Sequence, residues 1–546
     1  MNIAFGLIGG LGLFLFGMTY MGNALQKSAG SRMKNVLAAL TKNRIIGVAV
    51  GALVTMVIQS SSATTVMTVG FVNAGLMNLT QAIGIIMGAN IGTTVTAQLV
   101  AFKLTDIAPL VLGIGVAFWF GSKKKKVKET AGIFIGFGLL FLGMDMMKEA
   151  ITPLKELDAF KTAITSFNNP IVGIFTGFII TAVLQSSSAT TGLLIAIAGS
   201  GLMTIDMAYP ILFGENIGTC VTAMLAGIGA NKTAKRAALM HLIFNVLGTL
   251  IFLIFLRIPV QYLVGIISPD NIERQIANAH TLFNIISVIV MLPFANWIVM
   301  IAEKLIKGDD GEREGSLKYV DERLFATPSV AIVQVSKDVL RMAKMVEQQL
   351  LNARTAIMNN DEDLVYSIFE KEKNVNAVEK QLLDYMVNLS KLSLTGKQRD
   401  KIATLMNTIN DVERVGDHAD NIAELALLKI ENKSMFSDMA RDELQEMFEI
   451  TIDSYKLSIL TYKTGESELG MKVFEKEKKI NVMEKKYRKS HIKRLNEGSC
   501  VTQTGIVFLD TISNLERVGD HAANIAGLII EVLNRDTVES EVVEDN

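Results

Sequence analysis

The heptapeptide QSSSATT occurs twice in this chain, at Gln59 and at Gln185, and each time it interrupts a strongly apolar stretch. Unpaired hydroxyls and amides are costly in apolar surroundings, so two copies in two such places need a reason. The copies are in register with two other repeated landmarks. GLGLFLFGM at Gly10 returns as GFGLLFLGM at Gly136, and GANIGTTVTA at Gly88 returns as GENIGTCVTA at Gly214; each of the three pairs is 126 residues apart. Chance similarity between greasy segments does not keep polar residues in a gapless register. The apolar half is a duplication, and both copies must fold the same way locally.

Hydrophobic residues make up 50% of the 546, but unevenly: Met1 to about Lys304 is rich in Gly, Leu, Ile, Phe and Met, and from Gly308 the chain is charged. Apolar runs at Ile3–Leu25, Gly47–Leu76, Ala82–Phe102, Ile107–Gly121, Ala131–Met147, Ile171–Leu202, Met207–Gly229, Ala237–Leu256 and Ala279–Ile301 have lengths suited to a bilayer, the shortest being borderline. Without a basic leader or a small-residue cleavage site, Ile3–Leu25 reads as a retained span, not a signal peptide. The net charge of -1 gives no case for a nucleic-acid partner. Two cysteines, Cys220 and Cys500, make no disulfide framework, and five scattered histidines make no His-built metal centre.

Charge orients the repeats. The loop after the first span carries Lys27, Arg32, Lys34, Lys42 and Arg44, whereas its counterpart after Met147 is mixed, with Glu149, Lys155, Glu156, Asp158 and Lys161. KKKKVK at Lys123 is basic, as is the turn with Lys232, Lys235 and Arg236, while that turn's counterpart near Lys103 and Asp106 is not. Positive loops stay in the cytoplasm, so equivalent loops fall on opposite sides, the pattern of inverted-repeat transporters. The bookkeeping closes if the QSSS segments are re-entrant or broken helices, with Ile3–Leu25 running inward and the half ending inside near Lys304.

Broken backbone in a membrane is tolerated where it lines a cavity or packs on protein. Its helix ends offer amides to an anion and carbonyls to a cation. Each QSSSATT adds hydroxyls and a carboxamide that serve either charge. The second motif adds Asn90, Thr93, Thr94 and Thr96, then Asn216, Thr219, Cys220 and Thr222, with Gly88, Gly92, Gly214 and Gly218 allowing close backbone approach. Glu215 is an acid in a greasy stretch whose counterpart is Ala89, so it could charge one of two sites; Asp145 is a weaker case near a span end. Gly10, Gly12, Gly17 and their partners read as packing residues. Small and hydroxyl residues also serve as packing contacts between membrane helices, but that does not explain a paired, gapless pattern.

After GDDGEREG (Gly308–Gly315), a linker, Leu324–Leu350, Asp363–Leu389, Gln398–Lys429, Ser437–Tyr462, Leu469–Leu495 and Val501–Leu533 carry helical apolar stripes, read as two three-helix bundles. They pair as well: FEKEKNVNAVEK at Phe369 with FEKEKKINVMEK at Phe474, and DVERVGDHADNIAE at Asp411 with NLERVGDHAANIAG at Asn514. Glu413 and Asp417 share a helix face, as do Glu516 and Asp520. Carboxylates so close repel unless a cation or solvent intervenes, and oxygen-rich faces suit hard metals. A solvated or ion-paired face is the competing reading, and the FEKEK runs read as solvated surface.

The paired QSSS segments resemble the sodium-dependent phosphate cotransporter family, type II, including its bacterial members, over about Met1 to Lys304. The ERVGDHAxNI repeats resemble PhoU-type domains over about Arg323 to Val538. The resemblance implies inorganic phosphate as substrate, Na+ as coupling ion, and Gln59, Ser60, Ser61, Ser62, Gln185, Ser186, Ser187 and Ser188 at the binding centre. Thr64, Thr65, Thr190 and Thr191 join them, and Asn90, Thr93, Glu215, Asn216 and Thr219 complete the candidate set. For the soluble half it implies a divalent or ferric metal on Glu413, Asp417, Glu516 and Asp520, with His418 and His521 at matching positions but poorer ligands. Asp411 becomes Asn514 in the second copy, which counts against equal occupancy.

The expected architecture is therefore all-α. A polytopic membrane domain spans 1–304, with repeats at about 6–121 and 132–256 and a final span at 279–301. A linker at 305–322, a cytosolic six-helix PhoU-like domain at 323–538 and a tail at 539–546 follow. The expected activity is sodium-coupled phosphate symport in a bacterial cytoplasmic membrane, regulated by the soluble domain, with the lipid bilayer as partner and a homodimer or phosphate-signalling proteins as further ones. Transport of another oxyanion, phosphate export, and membrane-anchored signalling without transport are the alternatives. No nucleophile–base pair or Walker-type loop points to an enzyme.

Overall fold

The computed structural model describes residues 2–29, 43–102, 104–156, 167, 169–308, 315–392, 394–497 and 501–544. Arg32, Lys34, Lys42, Lys103, Asp158, Lys161, Cys500, linker residues 309–314 and tail residues 545–546 lie outside the described residues. Chain contacts divide the protein into Met1–Asp310 and Gly311–Asn546.

In the first unit the duplication extends to the helix boundaries. α2 (Arg44–Ile58), α3 (Ser61–Asn73) and α4 (Leu79–Val100) return 126 residues later as α7 (Pro170–Leu184), α8 (Ser187–Gly199) and α9 (Ile205–Ala226). α1 (Asn2–Ala29) is matched by α6 (Lys125–Ile151); α5 (Ala108–Gly121) and α10 (Lys232–Ile251) follow α4 and α9 in the chain but pack on different helices. Gly6 meets Ala150, Gly10 meets Gly143, and Gly17 meets Gly136. Partner numbers fall as α1 numbers rise, so the equivalent helices α1 and α6 cross antiparallel. Moreover, Gly10 and Gly17 are the counterparts of Gly136 and Gly143, so the contact maps onto itself when the repeats are exchanged. Two membrane helices related by a two-fold and running oppositely make the repeats inverted. Gly12 is the exception to the expected packing glycines: nothing stands within 4 Å of where its side chain would begin.

The QSSS segments are hairpins. Gly84, Gly88 and Gly92 of α4 lie against the backbone of Arg44, Val48 and Ala52 in α2. Both numbers rise together, so α2 and α4 run parallel, and α3 must return the chain to the face that α2 left. With 15 and 13 residues, neither hairpin arm reaches the roughly 20 residues a span needs. The long apolar run at 47–76 is thus two short helices. Gly214 and Gly218 on Ile174 and Phe178 repeat the arrangement.

Contacts sort the loops into two faces. Arg44 donates to Asn296, Asn231 to Asn73, and Arg236 to the Ile306 carbonyl. Across the unit, Lys148 pairs with Glu273 at 3.1 Å and Arg257 with Asp206 at 3.7 Å. The first face also carries Lys123–Lys126, Lys232 and Lys235 and is cytoplasmic by its basic excess.

Among the described residues four helices are long and apolar enough to cross a bilayer: Ile3–Ser28, Leu79–Val100, Lys125–Leu154 and Lys232–Ile267. The last joins α10 through a π turn at Phe252–Leu256 to α11 (Arg257–Ile267), so it runs past the expected stop at Leu256. The expected final span at 279–301 is instead α12 (Ile272–Met291) followed, after an 82° bend at Pro293, by α13 (Ala295–Leu305). Proline ends α12 because it has no N–H to continue the ladder.

The second unit has the six expected helices: α14 (Pro328–Asn359), α15 (Glu362–Ser390), α16 (Gly396–Glu431), α17 (Asp438–Thr464), α18 (Ser467–Asn496) and α19 (Thr502–Glu544). α14 continues past Leu350 because Ala353, Ala356 and Ile357 prolong its buried stripe. α16 and α19 pack on each other as the central pair.

Candidate functional site

Each QSSS tip is built the same way. α2 ends at Gln59 with φ 58° and α7 at Gln185 with φ 53°, left-handed positions where glycine is the usual choice. Holding a non-glycine residue there costs on the order of 1 kcal/mol, which both copies accept. Ser60 and Ser186 then cap α3 and α8, accepting from the amides of Ala63 and Ala189 at 3.1 and 3.2 Å. Thr55 donates to Thr64 at 2.9 Å and Thr181 to Thr190 at 2.8 Å, tying the two arms of each hairpin together. A lone threonine in an apolar helix gives no signal, so Thr55 and Thr181 were not legible as part of the tip. The first-turn amides of Ser61, Ser62, Ser187 and Ser188 have no acceptor within their own helices and stand at the positive ends of α3 and α8.

The second motif joins the repeats. Thr93 Oγ1 lies 3.5 Å from Ser188 Oγ, bringing α4 of one repeat to the QSSS tip of the other. Asn90 donates to Asn245 Oδ1 at 2.7 Å, and Asn245 donates to Cys220 Sγ at 3.3 Å, so Asn245 of α10 bridges both copies of the motif. Asn216 instead donates to its own helix at the Leu212 carbonyl, and Thr219 to that of Glu215. Glu215 is fully buried; its Oε1 accepts from Thr191 at 2.7 Å and stands 3.4 Å from His280 Nε2. In the first repeat Ala89 takes the place of Glu215, and Thr65 Oγ1, the counterpart of the Thr191 hydroxyl, has no partner.

The tips differ in state. Gln59 is 7% exposed, and its Oε1 accepts from Thr96 at 2.8 Å. Gln185 is exposed, and among the described residues the hydroxyl of its equivalent donor, half-buried Thr222, has no partner. Among the described residues, no lysine or arginine bonds to either tip.

In the second unit the acids form two matched groups. Glu413 and Asp417 of α16 face Glu372 and Glu379 of α15; Glu516 and Asp520 of α19 face Glu477 and Glu484 of α18. The FEKEK runs are therefore not wholly solvated: Glu372 is 7% exposed and accepts from Gln349 at 2.9 Å. Burial, with repulsion from Asp420, Asp417 and Glu413, pushes its carboxyl up to about 7 against the Gln349 bond. Burial and Asp417 raise Glu413, and burial and Asp520 raise Glu516. Among the described residues no three His, Cys, Asp or Glu side chains converge as a metal-holding group. Even so, the donor set fits a hard cation, with Glu372 Oε1 and Asp420 Oδ1 buried and unpartnered.

The histidines face elsewhere. His418 Nδ1 lies 2.9 Å from Asn514 Oδ1 and His521 Nδ1 2.9 Å from Asp411 Oδ1, each across the α16–α19 seam. The Asp411/Asn514 difference therefore belongs to the seam, not to unequal acidic groups.

Against known proteins, the Na+/Pi-cotransporter family model matches residues 13–149 and 155–268, and the PhoU domain model matches 339–426 and 444–529. The chain is 23% identical to "Putative inorganic phosphate export protein YjbB" of Salmonella typhimurium, over 98% of this chain and 99% of that one. It is 31% identical to the uncharacterized protein YqeW of Bacillus subtilis, over 47% of this chain and 83% of that one. It is 25% identical to the sodium-dependent phosphate transport protein 2A of Rattus norvegicus, over 47% of this chain and 61% of that one. These matches, with the inverted hairpin repeats, place the chain in the Na+/Pi-cotransporter family, as a multi-pass bacterial membrane transporter with a cytosolic C-terminal PhoU domain and not an enzyme.

Proposed function

We propose that this protein moves inorganic phosphate across the cytoplasmic membrane by alternating access, with export as its working direction and the PhoU domain as regulator. The observation that carries this reading is the pair of inverted hairpin tips, each presenting hydroxyls and first-turn helix amides inside the membrane. Export is favoured because relatives that match nearly end to end, both units included, carry the name putative inorganic phosphate export protein. The oxyanion is held at the centre by Gln59, Ser60, Ser61, Ser62, Thr64 and Thr65 on one side and Gln185, Ser186, Ser187, Ser188, Thr190 and Thr191 on the other. Asn90, Thr93, Asn216, Thr219 and Glu215 form the wall. The Thr96–Gln59 and Asn90–Asn245 bonds keep the cytoplasmic hairpin shut. Breaking them while making their second-repeat equivalents exchanges the open side.

Sodium coupling is the second reading, favoured by likeness to a sodium-dependent transporter. In the soluble unit, Glu413, Asp417, Glu516 and Asp520, with Glu372 and Glu477, would hold a divalent or ferric metal, which would neutralise their mutual repulsion. One experiment decides the main points: phosphate flux in proteoliposomes, measured in both directions with and without a sodium gradient. Saturable phosphate flux is expected, and its absence would reject the reading. Accumulation driven only by inward sodium would favour coupled uptake over export.

A further inference from the structure

The two bundles of the soluble unit are copies, yet one matched pair of helices differs on its outer face. α18 is the counterpart of α15 at an offset of 105 residues, set by FEKEK at Phe369 and at Phe474. Between Lys478 and Asn496, α18 exposes Lys478, Lys479, Lys485, Lys486, Lys489 and Lys493 and no acid. Val482 and Ile492 lie among them, 65% and 45% exposed. Steps of three and four residues from 478 through 482, 485, 489 and 493 keep the stripe on one side of the helix, over about 27 Å. In α15 the places of Lys479, Lys486, Lys489 and Lys493 are taken by Asn374, Gln381, Asp384 and Asn388. A helix of this kind therefore folds into its bundle without the charge.

Nothing inside the unit uses these cations. Lys478, Lys479, Lys485 and Lys489 pair with no acid among the described residues, and Lys493 has only exposed Glu497 at 3.8 Å, a pair of little strength. The Lys486 ammonium stands 5.5 Å from the ring of its neighbour Tyr487. Nearby carboxylates are already engaged, Glu484 by Arg488 and Glu443 by Arg494. Lys486, Lys489, Ser490, Ile492 and Lys493 line an open groove of about 700 Å³. Lysines of one sign with apolar side chains between them suit an anionic bilayer surface: the ammonium groups meet headgroup phosphates, and the apolar groups enter the headgroup layer.

The place of the unit in the chain selects that partner. α13 ends at Leu305, and the Ile306 carbonyl accepts from Arg236 on the cytoplasmic face. The sixteen residues between Leu305 and Glu322 reach at most about 55 Å. A lipid surface is thus always at high effective concentration, whereas a nucleic acid or an acidic protein must first be met in solution. We propose that the lysine face of α18 docks on the anionic phospholipid headgroups of the cytoplasmic leaflet. The docking is independent of which ion is transported and in which direction.

The test is quenching by lipid in nanodiscs of the full chain. In a Cys220→Ser, Cys500→Ser background, Ile492→Cys and Val387→Cys, matched positions on α18 and α15, each carry one fluorophore. The discs hold phosphatidylcholine with or without phosphatidylglycerol, and a headgroup-labelled quencher lipid in both. Quenching of the Ile492 probe should be at least about fivefold stronger with phosphatidylglycerol, and the Val387 probe should not tell the discs apart. Raising salt from about 0.1 to about 0.5 M should release the Ile492 probe, because the Debye length falls from about 10 to about 4 Å. Lys485→Glu, Lys486→Glu and Lys489→Glu together should lower the docked-to-undocked ratio about 100-fold at the lower salt. The salt titration of the wild-type face stands without that variant. Equal quenching of the Ile492 probe in both discs overturns the proposal, and it is the result that a nucleic acid or an acidic protein as occupant would give. Quenching unmoved by salt, or an equal response from the Val387 probe, overturns it as well.

Discussion

In the first repeat Thr96 bonds Gln59 and Asn90 bonds Asn245, which ends HLIFN in α10; in the second, Thr222 and the carboxamide oxygen of Asn284, which ends the matching HTLFN in α12, have no partners. The helix boundaries of the two hairpins nonetheless coincide residue for residue. One sequence pattern therefore holds two bonding states at once, with the cytoplasmic hairpin latched and the outer one released. The lesson concerns energy more than shape. When two halves fold alike and differ by a few side-chain bonds, exchanging the bonded half costs little, as a rocking transporter requires. The acid at Glu215 breaks the symmetry permanently, whereas the latches break it reversibly.

The largest effect should come from the tips themselves. Gln59→Ala and Gln185→Ala should each reduce phosphate flux by about 100-fold, since a site shared by both repeats fails when either tip is lost. Retained flux in one of them would mean that only one repeat binds. The latches come next. Thr96→Val leaves Gln59 Oε1 buried and unpaired, destabilising the folded protein by about 1–3 kcal/mol. Thr222→Val removes a hydroxyl with no partner and should change stability by less than about 0.5 kcal/mol. Thermal melts of the two variants compare the repeats directly, and equal shifts would erase the distinction.

A smaller effect should appear in the soluble unit, which is also duplicated but more evenly. Folding raises the Glu372 carboxyl from its ordinary 4.5 to about 7, so the folded state binds the proton more tightly than the unfolded one. Its contribution to stability is present below about pH 4.5 and is lost as pH rises towards 7. Glu372→Gln should flatten that fall, raising the melting temperature of the unit at pH 7.5 by a few degrees, and adding a divalent cation to wild type should do the same. A pH profile identical in variant and wild type would remove Glu372 from the acidic group.

Much of this was legible in the sequence because polar residues in apolar runs have few uses. The duplication, the six soluble helices and the inverted charge pattern follow from spacing alone. The hairpin break was legible too, because the charge bookkeeping closes only with re-entrant or broken helices at QSSS; the turn residues, left-handed Gln59 and Gln185, were not, since Gln is an ordinary helix residue. His241, Asn245, His280 and Asn284 escaped notice because their register is 39 residues, invisible to a reading locked on 126. Glu372 escaped because its lysine neighbours make the run look solvated, although every third or fourth position of α15 faces inward.

The central claim is that the repeats are inverted, and the N-caps of equivalent helices test it most directly. Asn43 and Asn169 begin α2 and α7, and Asn78 and Thr204 begin α4 and α9. Each replaced singly by cysteine in a Cys220→Ser, Cys500→Ser background, Asn169 and Thr204 should react with a membrane-impermeant maleimide on intact cells, whereas Asn43 and Asn78 should react only in everted vesicles. Labelling of both members of either pair from the same side would contradict the account.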